Sequence, residues 1–153
     1  MTFITRRYRF SASHRLHVEH LSDDENVRLY GKCNNPYGHG HDYVLAVTCA
    51  GPVDERTGQI VPPGRLDVLV EHTVLRLLAS RNINLDVPQF AGLVPTTENL
   101  TSVIADLLQR EWQRFIPAAV WLTRIHVQET DRNGFEVLVA NASKTKTKVT
   151  ADA

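Results

Sequence analysis

Apolar and polar residues alternate through residues 2–14, ending in Arg7-Tyr8-Arg9-Phe10-Ser11-Ala12-Ser13-His14, a period that predicts a half-buried strand. A second alternating, β-rich run covers 42–50. Between them, 15–38 reads as a long loop, acidic at Asp23-Asp24-Glu25. Gly51-Pro52-Val53-Asp54 and Pro62-Pro63-Gly64 punctuate a hairpin-like connection. From Asp67 to Leu78 the spacing turns helical, with Val70, Val74, Leu77 and Leu78 on one face. A clearer helix follows, carrying Leu100, Val103, Ile104, Leu107, Leu108 and Phe115 on an apolar stripe. Either Thr96 or Thr97 can cap its start, with Glu98 favourable in the first turn. Strands are predicted at 120–129 and 134–140, joined by Asp131-Arg132-Asn133-Gly134, where Asn-Gly favours a tight hairpin turn. The order is ββααββ, an α+β domain of four strands and two helices.

Composition narrows the function classes. The chain has 153 residues with 17 basic and 17 acidic side chains, so its net charge of zero gives no electrostatic case for nucleic acid or a membrane surface. No signal peptide and no bilayer-length apolar run is seen. Two cysteines, Cys33 and Cys49, make no disulfide framework, and a cytoplasmic location with reduced thiols is expected. One domain is expected over 1–142. The polar run 143–153 is expected to be a disordered tail.

The chemistry concentrates at Gly31-Lys32-Cys33-Asn34-Asn35-Pro36-Tyr37-Gly38-His39-Gly40-His41. His39 and His41 stand two apart where a turn-rich run gives way to a strand, so both imidazoles can face one point. His14 ends the other strand. Three histidines from two strands suit a zinc ion that keeps a fourth position open for substrate. Cys33 is either a fourth ligand or a thiolate base. A thiol pKa of about 8.5 leaves little thiolate at neutral pH, so catalysis would need activation by zinc, by Lys32 or by a histidine. Cys49 reads as a buried small hydrophobe.

Phe10-Ser-Ala-Ser-His14-Arg-Leu-His17, Glu25-Asn26, Gly31 through His41, Asn84-Leu-Asp86-Val-Pro-Gln-Phe90, Pro95-Thr-Thr-Glu-Asn99 and Glu129-Thr-Asp131 occur in an order that resembles the 6-pyruvoyl-tetrahydropterin synthase and 6-carboxy-tetrahydropterin synthase family. The similarity runs from about Phe3 to Val139. It implies the tunnelling fold, with a four-stranded antiparallel sheet and two helices that assemble side by side into a barrel, as a homohexamer. It implies zinc on His14, His39 and His41, and Cys33 as catalytic base. It also implies a pterin ring held by Glu129 with help from Thr96 and Thr97. The implied reaction is elimination of triphosphate from 7,8-dihydroneopterin triphosphate.

One departure complicates the reaction. The synthases carry an Asp-His pair before the Asn84–Pro88 stretch, where this chain has Ala79 and Ser80. Neither side chain serves as a general base near pH 7. His72, preceded by Glu71, is a candidate substitute. Two other activities therefore stay open: a side-chain-cleaving pterin enzyme, and a weak pterin-binding homologue without the relay.

Overall fold

The computed structural model of the chain describes residues 1–140, so the expected tail at 143–153 lies outside the described residues. Strand β1 (Thr2–His14) pairs antiparallel with β2 (His39–Gly51) over their full length, from Thr2 opposite Gly51 to His14 opposite His39. β2 starts three residues earlier than the alternation suggests, so His39 and His41 belong to the strand itself.

Between these strands the expected loop contains a helix, α1 (Asp23–Tyr30). Its acidic residues are the first turn, where carboxylates favour the helix N-terminus. Ser22 forms a capping box with Glu25, the hydroxyl accepting from the Glu25 N–H and the carboxylate from the Ser22 N–H. A 3₁₀ turn, Gly31–Asn34, returns the chain toward β2.

The next helical segment begins at α2 (Pro63–Val70), passes through a π turn at Glu71–Leu75 and ends in α3 (Arg76–Leu78). Ser80 then turns with φ of 60° and leads into β3 (Arg81–Asn82), a two-residue strand parallel to β1. The sheet therefore has five strands, in the order β3-β1-β2-β4-β5, rather than four. Two residues are too few to show a period, and their pairing depends on a non-local hydrogen bond from the Ser80 N–H to the Ser11 carbonyl at 2.6 Å. Short helix α4 (Ile83–Asp86) leads to α5 (Thr97–Phe115), the long amphipathic helix. β4 (Trp121–Gln128) and β5 (Gly134–Leu138) complete the antiparallel part.

The α5 stripe packs its Leu100, Ile104 and Leu108, all fully buried, on Tyr43, Leu45, Val47 and Ile125 of the sheet. Each such aliphatic side chain contributes about 1.5–3 kcal/mol by leaving water. The opposite face, with Thr5, Arg7, Arg9 and Ser11, stays exposed in the single chain. The β4–β5 connection departs from the expected Asn-Gly turn: neither Asn133 nor Gly134 has positive φ, which that turn type requires. Residues 129–133 instead close by a Glu129 N–H to Asn133 carbonyl bond at 3.0 Å, with the Thr130 hydroxyl accepting from the N–H groups of Arg132 and Asn133.

Gly38 closes the long connection against β1. It has φ of 71°, and a Cβ there would stand 2.5 Å from the His14 carbonyl oxygen. Gly38→Ala is expected to cost about 1–3 kcal/mol of stability, read from urea unfolding midpoints. Unchanged stability would show that the loop does not need this close approach.

Candidate metal centre

The register of β1 and β2 sets His14 directly opposite His39 and Ala12 opposite His41. His14, His39 and His41 all project from the face that carries Phe10 and Tyr43 deeper in the strands. Their rings meet with centroids 5.3 Å apart for His14 and His39, 5.0 Å for His14 and His41, and 4.6 Å for His39 and His41. Cys33 joins them, its Sγ 3.1 Å from His39 Nε2. One donor atom from each of the four residues lies within 4.8 Å of the others, a group able to hold a metal ion.

Asparagine side chains hold Cys33 in place. The Leu16 N–H donates to the Cys33 carbonyl at 2.7 Å, while Asn34 Nδ2 donates to the Leu16 carbonyl at 2.8 Å. Asn26 pairs with Val18 through both its amide groups, and Asn84 does the same with Arg15. Each primary amide offers the donor and acceptor of a backbone peptide, so residues 15–18 are paired as if in a sheet without belonging to one.

The donor chemistry fits a cation. His14 is 1% exposed, and its Nδ1 donates to the Pro95 carbonyl at 2.8 Å. That bond fixes the tautomer and leaves Nε2 as a lone-pair donor. His14 Nε2 and His41 Nε2 are both buried without a hydrogen-bond partner. Buried polar atoms are rarely left so, and two of them facing one point are satisfied by a metal. Burial, reinforced by the neighbouring imidazoles, lowers the His14 and His39 pKa values and favours the neutral, ligating form. Burial, with the Glu129 charge, pushes the Cys33 thiol up. Lys32 does not offset this rise.

Glu129 follows β4 and lies on the inward face shared with Ile125 and Val127. Its Oε1 stands 3.4 Å from His41 Nε2 and 3.8 Å from His14 Nε2, and accepts from the Thr97 hydroxyl at 2.8 Å. Among the expected site residues, the structure thus gathers His14, Cys33, His39, His41, Thr97 and Glu129. Thr96 has a different place: it is the α5 cap, accepting from the Asn99 N–H at 3.3 Å. His72 is remote. Its ring lies on Phe115, 5.5 Å between centroids, at the end of α5 opposite Thr97, about 27 Å away along the helix. It does not replace the Asp-His pair in its own chain. Ala79 and Ser80 bring no titratable group to the connection before β3.

Residues 3–139 match the family model described as 6-pyruvoyl tetrahydropterin synthase. The chain belongs to that family. It is 45% identical over 130 residues to the human 6-pyruvoyl tetrahydrobiopterin synthase, covering 85% of this chain and 86% of that protein. The Drosophila melanogaster 6-pyruvoyl tetrahydrobiopterin synthase is 41% identical over 133 residues, covering 87% and 77%. Among solved structures, the Caenorhabditis elegans 6-pyruvoyl tetrahydropterin synthase is similar at a TM-score of 0.79 and 34% identity, covering 91% of this chain and 96% of that one. Sequence reasoning missed the Pro95 carbonyl, since backbone acceptors leave no residue signature. It also missed Tyr43, although that residue continues the two-residue spacing of His39 and His41.

The lowered histidine pKa values give a signed expectation for the metal-free protein. Free histidine titrates near about 6.5, so below that pH the unfolded chain binds protons that folded His14 and His39 refuse. Stability should be fully present above this value and fall as pH drops through the window beneath it. Urea midpoints of metal-free protein at neutral and mildly acidic pH check this; a midpoint that rises on acidification would contradict it.

Proposed function

We propose that the chain is a zinc-dependent lyase acting on 7,8-dihydroneopterin triphosphate, eliminating triphosphate to give a 6-pyruvoyl-tetrahydropterin. The observation that carries this is the pair of buried, unpartnered Nε2 atoms of His14 and His41, set between a thiol and a carboxylate. His14, His39 and His41 would hold the ion, with Cys33 and Glu129 beside them. When bound, zinc supplies Lewis-acid polarisation of the substrate's side-chain hydroxyls, which acidifies the adjoining C–H.

Glu129 anchors the pterin ring, whose 2-amino group and neighbouring ring N–H donate two parallel hydrogen bonds to a carboxylate. Thr97 holds that carboxylate by its bond to Oε1, and Thr96 serves the site by fixing the start of α5. Ring anchor and metal ligands then place the substrate side chain beside Cys33. Cys33 takes the carbon-bound proton and an internal shift returns it to the ring, which passes from dihydro to tetrahydro as a side-chain carbinol becomes a carbonyl; triphosphate leaves from the terminal carbon with its bonding electron pair, and the enol left behind tautomerises to the pyruvoyl form. The assembly is a homohexamer in which sheet edges β3 and β5 find partners. With no helix among the described residues long and apolar enough to cross a membrane, a cytoplasmic site of action is proposed.

A second reading has its own support. Ala79 and Ser80 carry no proton relay, and His72 is too distant to restore one. Retro-aldol cleavage of the same side chain needs a different proton inventory and would yield a 6-hydroxymethyl pterin, while cleavage after water adds to a side-chain carbonyl would yield a 6-carboxy pterin. Zinc-loaded protein incubated with dihydroneopterin triphosphate is expected to release triphosphate and the pyruvoyl product, identified by mass. A cleaved product would establish the second reading. Binding without turnover would leave only a pterin-binding homologue. Cys33→Ala should slow whichever turnover is seen by about 10²–10⁴-fold, the usual contribution of a general base.

The ligand assignment has a separate check. Pure protein is expected to carry about one zinc per chain, and His39→Ala to lose most of it. Full zinc in folded His39→Ala protein would show that the ion sits elsewhere.

A further inference from the structure

A histidine that the proposed reaction does not use is linked by hydrogen bonds to Cys33. His17 is half-buried on the chain leaving β1, and the residues on either side of it are fixed. Before it, the Leu16 carbonyl accepts from Asn34 Nδ2 at 2.8 Å, and the Leu16 N–H donates to the Cys33 carbonyl at 2.7 Å. After it, Val18 is paired through both its backbone groups with the side chain of the fully buried Asn26. The imidazole therefore stands on a settled backbone, and its Nδ1 lies 3.0 Å from Asn34 Nδ2.

That contact has one chemical meaning. An amide nitrogen carries two protons and no free lone pair, so His17 Nδ1 is the acceptor. The ring is neutral in this arrangement, with its proton on Nε2. Asn34 is 7% exposed, and its amide protons are both engaged, one by the Leu16 carbonyl and one by His17. Turning the amide over would set Oδ1 against two acceptors. The imidazole thus helps to choose which end of the Asn34 amide meets Leu16.

We infer that His17 is a positioning residue for Cys33: acting through Asn34, it holds the turn that carries the thiol against the histidine cluster. This rests on the functional reading above, in which Cys33 takes the substrate proton. Cys33 and Asn34 are consecutive residues of the 3₁₀ turn Gly31–Asn34, and both bind Leu16, one through its carbonyl and one through its side-chain amide. Arg15 adds only a long bond from Nε to the Asn34 carbonyl, at 3.4 Å. Without the imidazole, Asn34 keeps one partner and gains an unsatisfied donor at a place with little access to water, which is costly. The turn then opens more often, and Sγ spends less time at its 3.1 Å separation from His39 Nε2.

The test uses the zinc-loaded full chain, with iodoacetamide as the probe of the Cys33 thiol and 7,8-dihydroneopterin triphosphate as the kinetic substrate. Cys49 is fully buried, and Cys33→Ala protein supplies the blank. His17→Phe keeps a ring and removes the acceptor. It is expected to be alkylated about threefold to tenfold faster, and its kcat to fall by about the same factor, the loss of one neutral hydrogen bond. KM and zinc content should stay near those of the unmodified protein. His17→Asn, whose Oδ1 is attached to Cγ as Nδ1 is, should restore both rates. Asn34→Ala should act at least as strongly, and adding His17→Phe to it should change nothing more, since both break one link. Equal alkylation of His17→Phe and the unmodified chain would overturn the inference, as would His17→Asn behaving like His17→Phe. Loss of zinc from His17→Phe would overturn it too, moving the effect of His17 to the metal ligands. Full turnover by Cys33→Ala, or none by the unmodified protein, would refute the functional reading, while the alkylation rates would still decide whether His17 holds Cys33.

Discussion

The pairing register of β1 with β2 is the constraint on which everything else depends. Strand side chains alternate faces, so a slip of one residue would send every inward group to the opposite side. Here the inward groups change character along the strands. Phe10 faces Tyr43 as an apolar stack, Ala12 faces His41, and His14 faces His39. Alanine at the middle rung leaves room for the His41 imidazole among the other two. The apolar core therefore pins the register, and the register delivers the three histidines of the candidate metal site at the strand ends. The Thr5–Thr48 hydroxyl bond at 2.8 Å across the same two strands supports that register on the uncovered face.

The other half of the site comes from chain with no sheet to hold it. Residues 15–38 must carry Cys33 to within 3.1 Å of His39 while their own peptide groups stay satisfied. Asn26 and Asn84 do this by standing in for neighbouring strands with both ends of their amides, while Asn34 Nδ2 donates to the Leu16 carbonyl and lies 3.0 Å from His17 Nδ1. Asn26 is fully buried and donates toward the carbonyls of Val18, Leu21 and Ser22, which ties α1 to the chain leaving β1. A change at one of these asparagines would act on Cys33 without touching it.

What the sequence made legible follows from these two mechanisms. Strands β1 and β2 and helix α5 have long one-sided patterns, so their positions and the same-face grouping of the histidines could be read directly. Helix α1 has mostly exposed residues and hence no stripe, although Ser22 and Glu25 already had capping-box spacing. β3 exists only because distant β1 offers it a partner. At 129–133 the Thr130 hydroxyl supplies a local turn that overrides the preference of Asn133-Gly134. Thr96 and Thr97 are equivalent caps on paper. The chain entering α5 assigns the first to the helix and turns the second, 3% exposed, toward Glu129.

The candidate metal-site residues and the connection that lacks an Asp-His pair lie in separate parts of this fold. The three histidines and Glu129 belong to the central strands and their ends, and Cys33 is fastened to them by the asparagines, so the packed core constrains all five. Ala79 and Ser80 sit on the connection from α3 to β3, Ala79 half-buried against the edge of the core and Ser80 exposed, its N–H bonded to the Ser11 carbonyl. Substitution at the exposed Ser80 costs the core little, whereas a substitution that moved His14 or Tyr43 would disturb a packed interior intolerant of added or missing volume. The chemistry of the site can therefore change while its capacity to hold a metal ion and a flat heterocycle is retained. In this chain the electrostatics point the same way: the buried His14 and half-buried His39 are shifted toward their neutral forms and the thiol is pushed up, an arrangement that suits a cation. A thiolate at Cys33 would need a positive charge beside it to offset that rise.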